Sequence, residues 1–357
     1  MEQEQLSETL QNIISFNNIK HVVPVISNSF RLEQIFRDEK SITNITAKIP
    51  ELMDDDLTIN EQLTRLWAKE IHYPMTDDHK LWRVAQYYQV KRKGSDRAKE
   101  EYLRFLKKQL LDANETKEGK EELVNGFRKD ARTMSFSDIA KGLGYFSDPE
   151  RGPDPLFTLA RLPFPVYVTT SHHDFLERAI EEVSQGDIKP RTQVIFWQPD
   201  VEYDEAIAEK HYPDPSFDPT PEKPAVYHLF GLQNYPGSLV LSEDDYMKFL
   251  VSIITSDRDT QKAIVPPRLR RALSTSHLLL LGYHLRDWEF RVLFRLILNY
   301  RQGDKEGICI QLKPKKEDEE LLDYLKQYFN MQKFEIEWKS SDKFIQELWD
   351  LWKADQA

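Results

Sequence analysis

The sequence predicts an α/β fold: a mainly parallel sheet flanked by helices and interrupted by a helical insertion. Three observations carry this expectation. From about residue 155 onward, short β-branched or leucine-rich runs alternate with stretches whose apolar residues recur at helical spacing, the pattern of strands joined by crossover helices. One further strand-like run stands far upstream, His21-Val-Val-Pro-Val-Ile-Ser27. The residues between the two show helical periodicity only. The combination is Rossmann-like. Residues 1–50 and 151–357 are expected to form one α/β domain, with residues 51–150 as the helical insertion.

Taken in order, residues 7–17 have the spacing of a short amphipathic helix. Pro24 cannot donate to a sheet ladder, so its strand is expected at an edge or at a bulge. A helix is expected to begin over Arg31 to Arg37. Within 58–112, Ile59, Leu63, Leu66 and Trp67 recur at helical spacing, as do Leu81, Val84 and Ala85, then Tyr102, Leu103, Phe105, Leu106 and Leu110. Residues 113–125 are polar and charged, which predicts an exposed loop. Strands are predicted at Val166–Thr170, Gln193–Trp197, Ala225–Leu229, Ser238–Leu241, His277–Tyr283, Gly307–Leu312 and Phe334–Trp338. Helices are predicted at Asp174–Val183, Glu243–Thr255, Asp287–Tyr300 and Ser341–Trp352. The run His277-Leu-Leu-Leu-Leu-Gly suits a buried central strand. The proline-rich, apolar-poor stretch 198–224 is expected to loop over one edge of the sheet. Ser171-x-x-Asp174 and Ser242-x-x-Asp245 both resemble capping boxes between a strand and a helix, and Asp287 is placed to cap the helix that begins at Trp288. Trp349 and Trp352 on the last helix are expected to bury against the sheet, the alternative being a subunit contact.

The 357 residues suffice for a large core, and 40% apolar with 11% aromatic residues exclude wholesale disorder. No apolar run approaches the ~18 residues of a membrane span. The opening Met1-Glu-Gln-Glu-Gln-Leu-Ser is acidic and polar, unlike a secretory signal. One cysteine, Cys309, excludes a disulfide framework and a multi-cysteine zinc site, and points to a reducing cytoplasm. A formal charge of −11 argues against direct nucleic-acid binding. The local basic runs Lys91-Arg-Lys93 and Arg268-Leu-Arg-Arg271 read as solvated faces or loop edges.

Four segments carry a more specific signal. They are His21-Val-Val-Pro-Val-Ile-Ser-Asn-Ser-Phe30; Thr169-Thr-Ser-His-His-Asp-Phe-Leu-Glu177; Val226-Tyr-His-Leu-Phe-Gly231 followed by Ser238-Leu-Val-Leu-Ser-Glu-Asp-Asp-Tyr246; and Leu278-Leu-Leu-Leu-Gly-Tyr-His-Leu-Arg-Asp-Trp-Glu-Phe-Arg291. In order and spacing they resemble the motifs of the sirtuin-like NAD-hydrolase domains of bacterial antiphage defence: a Gly-rich GAG-x-S turn, TTN-x-D-x-x-LE, Y-K-L-H-G with x-V-L-T-x-x-D-Y, and LLxxGYSLxDxxxR. The resemblance implies NAD as substrate or ligand and no metal. The departures fall on the chemistry. The first turn, Ile26-Ser-Asn-Ser29, has no glycine, although Asn28 tolerates positive φ better than most residues. Ser171 stands at the family's catalytic Asn, and Phe230 at its catalytic His.

Two readings follow from the resemblance. In the first the chain is an NAD+ glycohydrolase effector that releases nicotinamide and ADP-ribose and is activated by a regulatory partner or by self-assembly into a homo-oligomer. The chemistry then falls to a shifted set, Ser171 with His172 or His173 and His228, since histidine moves protons near neutral pH. The cofactor-binding residues expected beside them are Ser27, Asn28, Ser29, Thr170, Asp174, Gly282, Tyr283 and His284, all at predicted strand ends, where open α/β sheets bind ligands. In the second reading the chain is an inactive nucleotide-binding or scaffold subunit of a defence complex. Ser171 is then a helix cap, His172 and His173 first-turn residues, and His228 a hydrogen-bonded sheet residue. A dehydrogenase is disfavoured because no G-x-G-x-x-G follows a predicted strand.

Overall fold

The computed structural model describes residues 19–36, 57–115, 117, 119–146, 154–198, 209–212, 214, 216–256, 264–285, 287–301, 307–311 and 319–356. The expected helix over 7–17, residues 199–208, 213 and 215 of the 198–224 stretch, and the Arg37 end of the helix predicted from Arg31 fall outside them. Seven strands run in parallel: β1 (Val22–Ile26), β2 (Val166–Thr169), β3 (Arg191–Val194), β4 (Ala225–His228), β5 (His277–Leu281), β6 (Gly307–Gln311) and β7 (Phe334–Trp338). Their order across the sheet is β3-β4-β2-β1-β5-β6-β7. The chain steps from β1 to β2 on one side and later returns to β5 on the other. The carboxyl ends of β2, β1 and β5 therefore frame a topological switch point.

Thirteen helices are described. In chain order they are α1 (Asn28–Phe36), α2 (Ile59–Glu70), α3 (Leu81–Arg92), α4 (Ser95–Asn114), α5 (Glu121–Asp130), α6 (Phe136–Gly142), α7 (Pro155–Ala160), α8 (Phe175–Val183), α9 (Glu243–Thr255), α10 (Pro267–Thr275), α11 (Trp288–Tyr300), α12 (Glu319–Met331) and α13 (Ser341–Gln356). The elements described between β1 and β2 are all helical. Successive strand residues point to opposite faces, so β5 feeds two cores. Leu279 and Leu281 join a core with α1, α2, α4 and α13, and Leu278 and Leu280 join one with α9, α10, α11 and α12. A strand buried on both faces reads as continuous leucine, which is why His277–Leu281 lacks polar alternation. Trp67 of α2 fixes the helical stretch, with its ring 5.2 Å from Tyr102, 5.9 Å from Tyr88 and 6.3 Å from Phe105. Trp349 and Trp352 stack at 5.2 Å and pack, half-buried, on the first core.

Several local expectations need correction. Pro24 lies in a central strand, not at an edge. The bonds His277 N–H to His21 O (2.9 Å) and Ser27 N–H to Leu281 O (3.0 Å) show that odd-numbered residues of β1 serve β5. Pro24 therefore turns its missing N–H toward β2, whose ladder with β1 begins only at Val25. Ser238–Leu241 is not a strand: a 3-10 turn over Pro236–Ser238 leads into a loop that ends at the α9 cap. Helix α5 begins inside the stretch expected to be a loop. Ser242 and Asp245 form the expected capping box on α9. Ser171 does not cap α8. That helix starts at Phe175, so Asp174 holds the cap position without a side-chain bond, and the Ser171 hydroxyl instead closes a turn on the His173 N–H at 3.1 Å. Asp287 likewise takes the cap position of α11 without a side-chain cap bond.

Candidate functional site

β1 passes straight into α1, with Ser27 as the cap. Its Oγ accepts from the Phe30 N–H (3.1 Å) and donates to the Gly282 carbonyl (2.6 Å). This explains a first turn without glycine: Asn28 is the first helical residue and is not among the positive-φ positions. The glycine requirement moves to β5. Gly282 has φ +73°, and a Cβ there would lie 2.7 Å from Ser27 Oγ and 2.9 Å from Phe30 Cβ. Only glycine lets the end of β5 approach the start of α1 this closely.

Asn28 links β1 to β2. Its side-chain oxygen accepts from the His172 N–H, and its own N–H donates to Thr170 Oγ1, both at 3.2 Å. Thr170 Oγ1 also lies 3.2 Å from Tyr283 Oη and donates to Glu289 Oε1 at 3.1 Å. A threonine hydroxyl has one proton and two lone pairs. With the hydroxyl proton directed to Glu289, Tyr283 is the donor to Thr170, and the hydroxyl is saturated by groups from the start of α1, the turn after β5 and α11. Ser29 accepts from Asn60 of α2 at 3.4 Å.

This network is surrounded by carboxyl groups. Burial, reinforced by the nearby Asp287 charge, pushes Glu289 up to about 7, against the Thr170 hydrogen bond and the His284 charge. Asp287 is surface-accessible but crowded by protein, and that crowding pushes it up to about 6. For His284, burial opposes the charged form. Its pairing with Glu33 (3.6 Å) and the charges of Asp287 and Glu61 prevail, holding it at about 9. The groups around Thr170 therefore form a carboxyl-rich cluster containing one imidazolium. Carboxylates and hydroxyls of this kind suit a ribose diol. The N-terminus of α1 is less open to phosphate, because the Asn28 and Phe30 N–H groups are already bonded internally.

The remaining predicted residues lie on the β2–β4 side and face inward. His228 is closed to solvent. Its Nδ1 is 2.8 Å from the Ser171 carbonyl, and its Nε2 is 2.8 Å from Glu177 Oε1, which also accepts from Thr192 at 2.9 Å. Both partners can only accept, so both ring nitrogens carry protons. Accordingly, although burial opposes the charge, Glu177 and the Ser171 carbonyl raise the pKa of His228. In this arrangement the ring offers no lone pair to a substrate. His173 is also buried, 4.8 Å from the Phe136 ring, with Nδ1 at 3.1 Å from Gln233 Oε1. That oxygen also accepts from the Phe136 N–H at 3.1 Å. His173 Nδ1 is thus the donor. Burial pushes its pKa down to about 4. His172 is buried with neither ring nitrogen in a hydrogen bond of normal geometry. Burial, helped by His173, pushes it down to about 3, and only the nearby Val240 backbone favours its charged form. Asp174 accepts from Arg178 at 2.9 Å.

The structure therefore brings Ser27, Asn28, Thr170, Gly282, Tyr283 and His284 together in one cluster at the carboxyl ends of β1, β2 and β5. Ser171, His172, His173 and His228 form a buried network behind it. Phe230 belongs to neither: it lies in the second core, edge-on to Tyr246 (5.4 Å) and Phe249 (5.2 Å). β4 ends at His228, so the two positions do not share a strand face. Glu289 was missed by sequence reasoning, although a signal existed. It sits on the stripe Glu289, Leu293, Leu296, Tyr300, whose other members are all buried. Among the described residues no three His, Cys, Asp or Glu converge as a metal site, and no helix is long and apolar enough to cross a membrane.

No curated protein matches the chain. Residues 165–331 match the family model described as SIR2-like domain, and so span β2 to α12. SIR2-like domains bind NAD. In the TTN-x-D-x-x-LE spacing the acidic position falls on His173, a further departure from the motif. The parallel strand order and this match agree on a sirtuin-like domain over residues 165–331.

Proposed function

We propose that this protein binds NAD or a related nucleotide at the carboxyl edge of the sheet and acts as an inactive sirtuin-like subunit of a bacterial antiphage defence complex. The observation that carries the binding is the saturated Thr170 hydroxyl, which ties the ends of β1, β2 and β5 to Glu289 at the switch point. It leaves a preorganised rim of carboxyl groups for ribose hydroxyls. Inactivity is supported by the histidines: His228 has both ring protons committed, and His172 and His173 are buried. The defence context rests on the resemblance of the four motifs. In this reading residues 1–50 and 151–357 are the nucleotide-binding domain. Residues 51–150 are an insertion that meets a regulatory partner or a second copy, and the single cysteine suits the cytoplasm.

One observation favours the second reading, an NAD+ glycohydrolase. Glu289, held at about 7 beside Thr170, has the pKa of a general base working near neutral pH. The experiment is calorimetric titration of the purified chain with NAD, with nicotinamide release followed on the same sample. Binding that weakens in Thr170→Val, with release no faster than in buffer, supports the binding subunit. Release that Glu289→Gln removes establishes the hydrolase. No binding at millimolar NAD refutes both.

A further inference from the structure

A cleft of about 1090 Å3 opens on the helical stretch, between α3, α4 and α5, with Gln233 and Pro236 at its floor. No residue of the Thr170 cluster lines it. Its walls carry seven basic side chains against four acidic ones, a local positive excess on a chain of net charge −11. Most of the acids are used within the wall. Arg128 is held by Asp112 (2.8 Å) and Glu115 (3.0 Å), and Arg104 pairs with Glu101. Lys108 turns to Glu70 at 2.7 Å. Among the described residues Arg97 and Arg132 make no ion pair. Arg92 lies over the Tyr88 ring at 5.7 Å, and Lys107 reaches only the Ala131 carbonyl, at 3.2 Å. Against these four cations the wall sets Glu100.

Size and lining narrow the ligand. The volume lies at the upper end for small-molecule sites and is far larger than one phosphate needs. Leu103, Leu111, Ala131 and Pro236 give the cleft an apolar side. Arginine forks suit phosphate oxygens, and an apolar wall suits the flat face of a base. We infer that this cleft binds a nucleoside polyphosphate. The site is independent of any nucleotide at the sheet edge, and Gln233 joins it to the buried histidines: it lines the cleft and accepts from His173 and the Phe136 N–H.

The test is calorimetric titration of the full chain with ATP, inorganic triphosphate and adenosine at about 0.15 M ionic strength, where screening between exposed charges is strong. ATP is expected to bind more tightly than triphosphate, and adenosine not to bind. Arg97→Glu with Arg132→Glu should weaken ATP about tenfold or more, since two charge-assisted contacts become repulsive. If that variant melts lower than wild type, Arg97→Gln with Arg132→Gln serves instead, with a smaller loss in the same direction. Thr170→Val should leave ATP affinity unchanged. The inference is overturned if ATP does not bind at millimolar concentration, if triphosphate binds as tightly as ATP, or if Thr170→Val rather than the arginine variants removes binding.

Discussion

Glu177 and His228 form an ion pair 2.8 Å long inside the protein, between α8 and the last residue of β4. With the second ring proton on the Ser171 carbonyl, the pair fixes the β2–α8 turn to the end of β4. Removing one partner of a buried pair leaves an uncompensated polar group, so His228→Ala is expected to lose about 3–5 kcal/mol. Replacing both, as His228→Leu with Glu177→Leu, should lose less than the two single changes added together. Urea unfolding of the four proteins measures this cycle. Strict additivity would show that the pair carries no coupling.

The buried histidines predict opposite pH limbs. His172 (about 3) and His173 (about 4) lie below their ordinary value of 6.5. The folded state therefore binds fewer protons than the unfolded chain between those values, and their contribution to stability is lost as pH falls from about 6.5. His228 and His284 are raised, His284 to about 9. Their contribution is complete below about 6.5 and is lost as pH rises through the folded values. Asp287 and Glu289, also raised, lose their contribution as pH rises between about 4 and 7, and so partly mask the acid limb. The clean measurement is therefore a difference. Wild type minus His172→Gln should lose stability toward acid by up to about 1.4 kcal/mol per pH unit below 6.5. A flat difference from pH 4 to 6.5 would show that His172 is not held neutral by the fold.

Gly282→Ala is expected to destabilise by about 2 kcal/mol or more. The new methyl would press on Ser27 Oγ and Phe30, at a φ that L residues rarely adopt. Because the same contact positions the first turn of α1, NAD affinity should fall with stability. Thermal melting and NAD titration of the variant check this together, and an unchanged melting temperature would mean that β5 and α1 do not close on each other.

How much of this was legible in the sequence varies with the range of the interactions. Phe334–Trp338 and Glu243–Thr255 were predicted to the residue, because local periodicity and a local cap set their limits. Pro24 misled because a proline's cost depends on which neighbour its missing N–H faces, and that is fixed by β2, more than a hundred residues away. At the site, the strand-end positions were legible from motif spacing, but their burial was not. His173 is covered by Phe136 and Gln233, and His228 is neutralised by Glu177. None of those partnerships follows from the residue types. Glu289 had a local signal, a carboxyl on an apolar helix stripe, but its tie to Thr170 spans 119 residues.

Rebuilding the family's catalytic pair is the sharpest prediction. Ser171→Asn with Phe230→His restores the residue types of the motif, but not their setting. Phe230 is fully buried, edge-on to two aromatic rings, and its carbonyl accepts from the Val240 N–H at 3.0 Å. An imidazole there would replace aromatic packing with a polar ring among apolar neighbours, at about 2–4 kcal/mol. It would lie against Tyr246 and Phe249, outside the Thr170 cluster. At position 171 the serine hydroxyl closes its turn on the His173 N–H at 3.1 Å, a bond that an Asn amide oxygen can replace, so the cost of the pair falls on position 230. The double variant is therefore expected to unfold at lower urea than wild type and to release nicotinamide from NAD no faster. Unfolding curves and a nicotinamide assay on the same preparation decide the matter. Cleavage gained by the variant would mean that position 230 can swing from the aromatic core to the Thr170 cluster, and that the substitutions, not the backbone, hold the site silent.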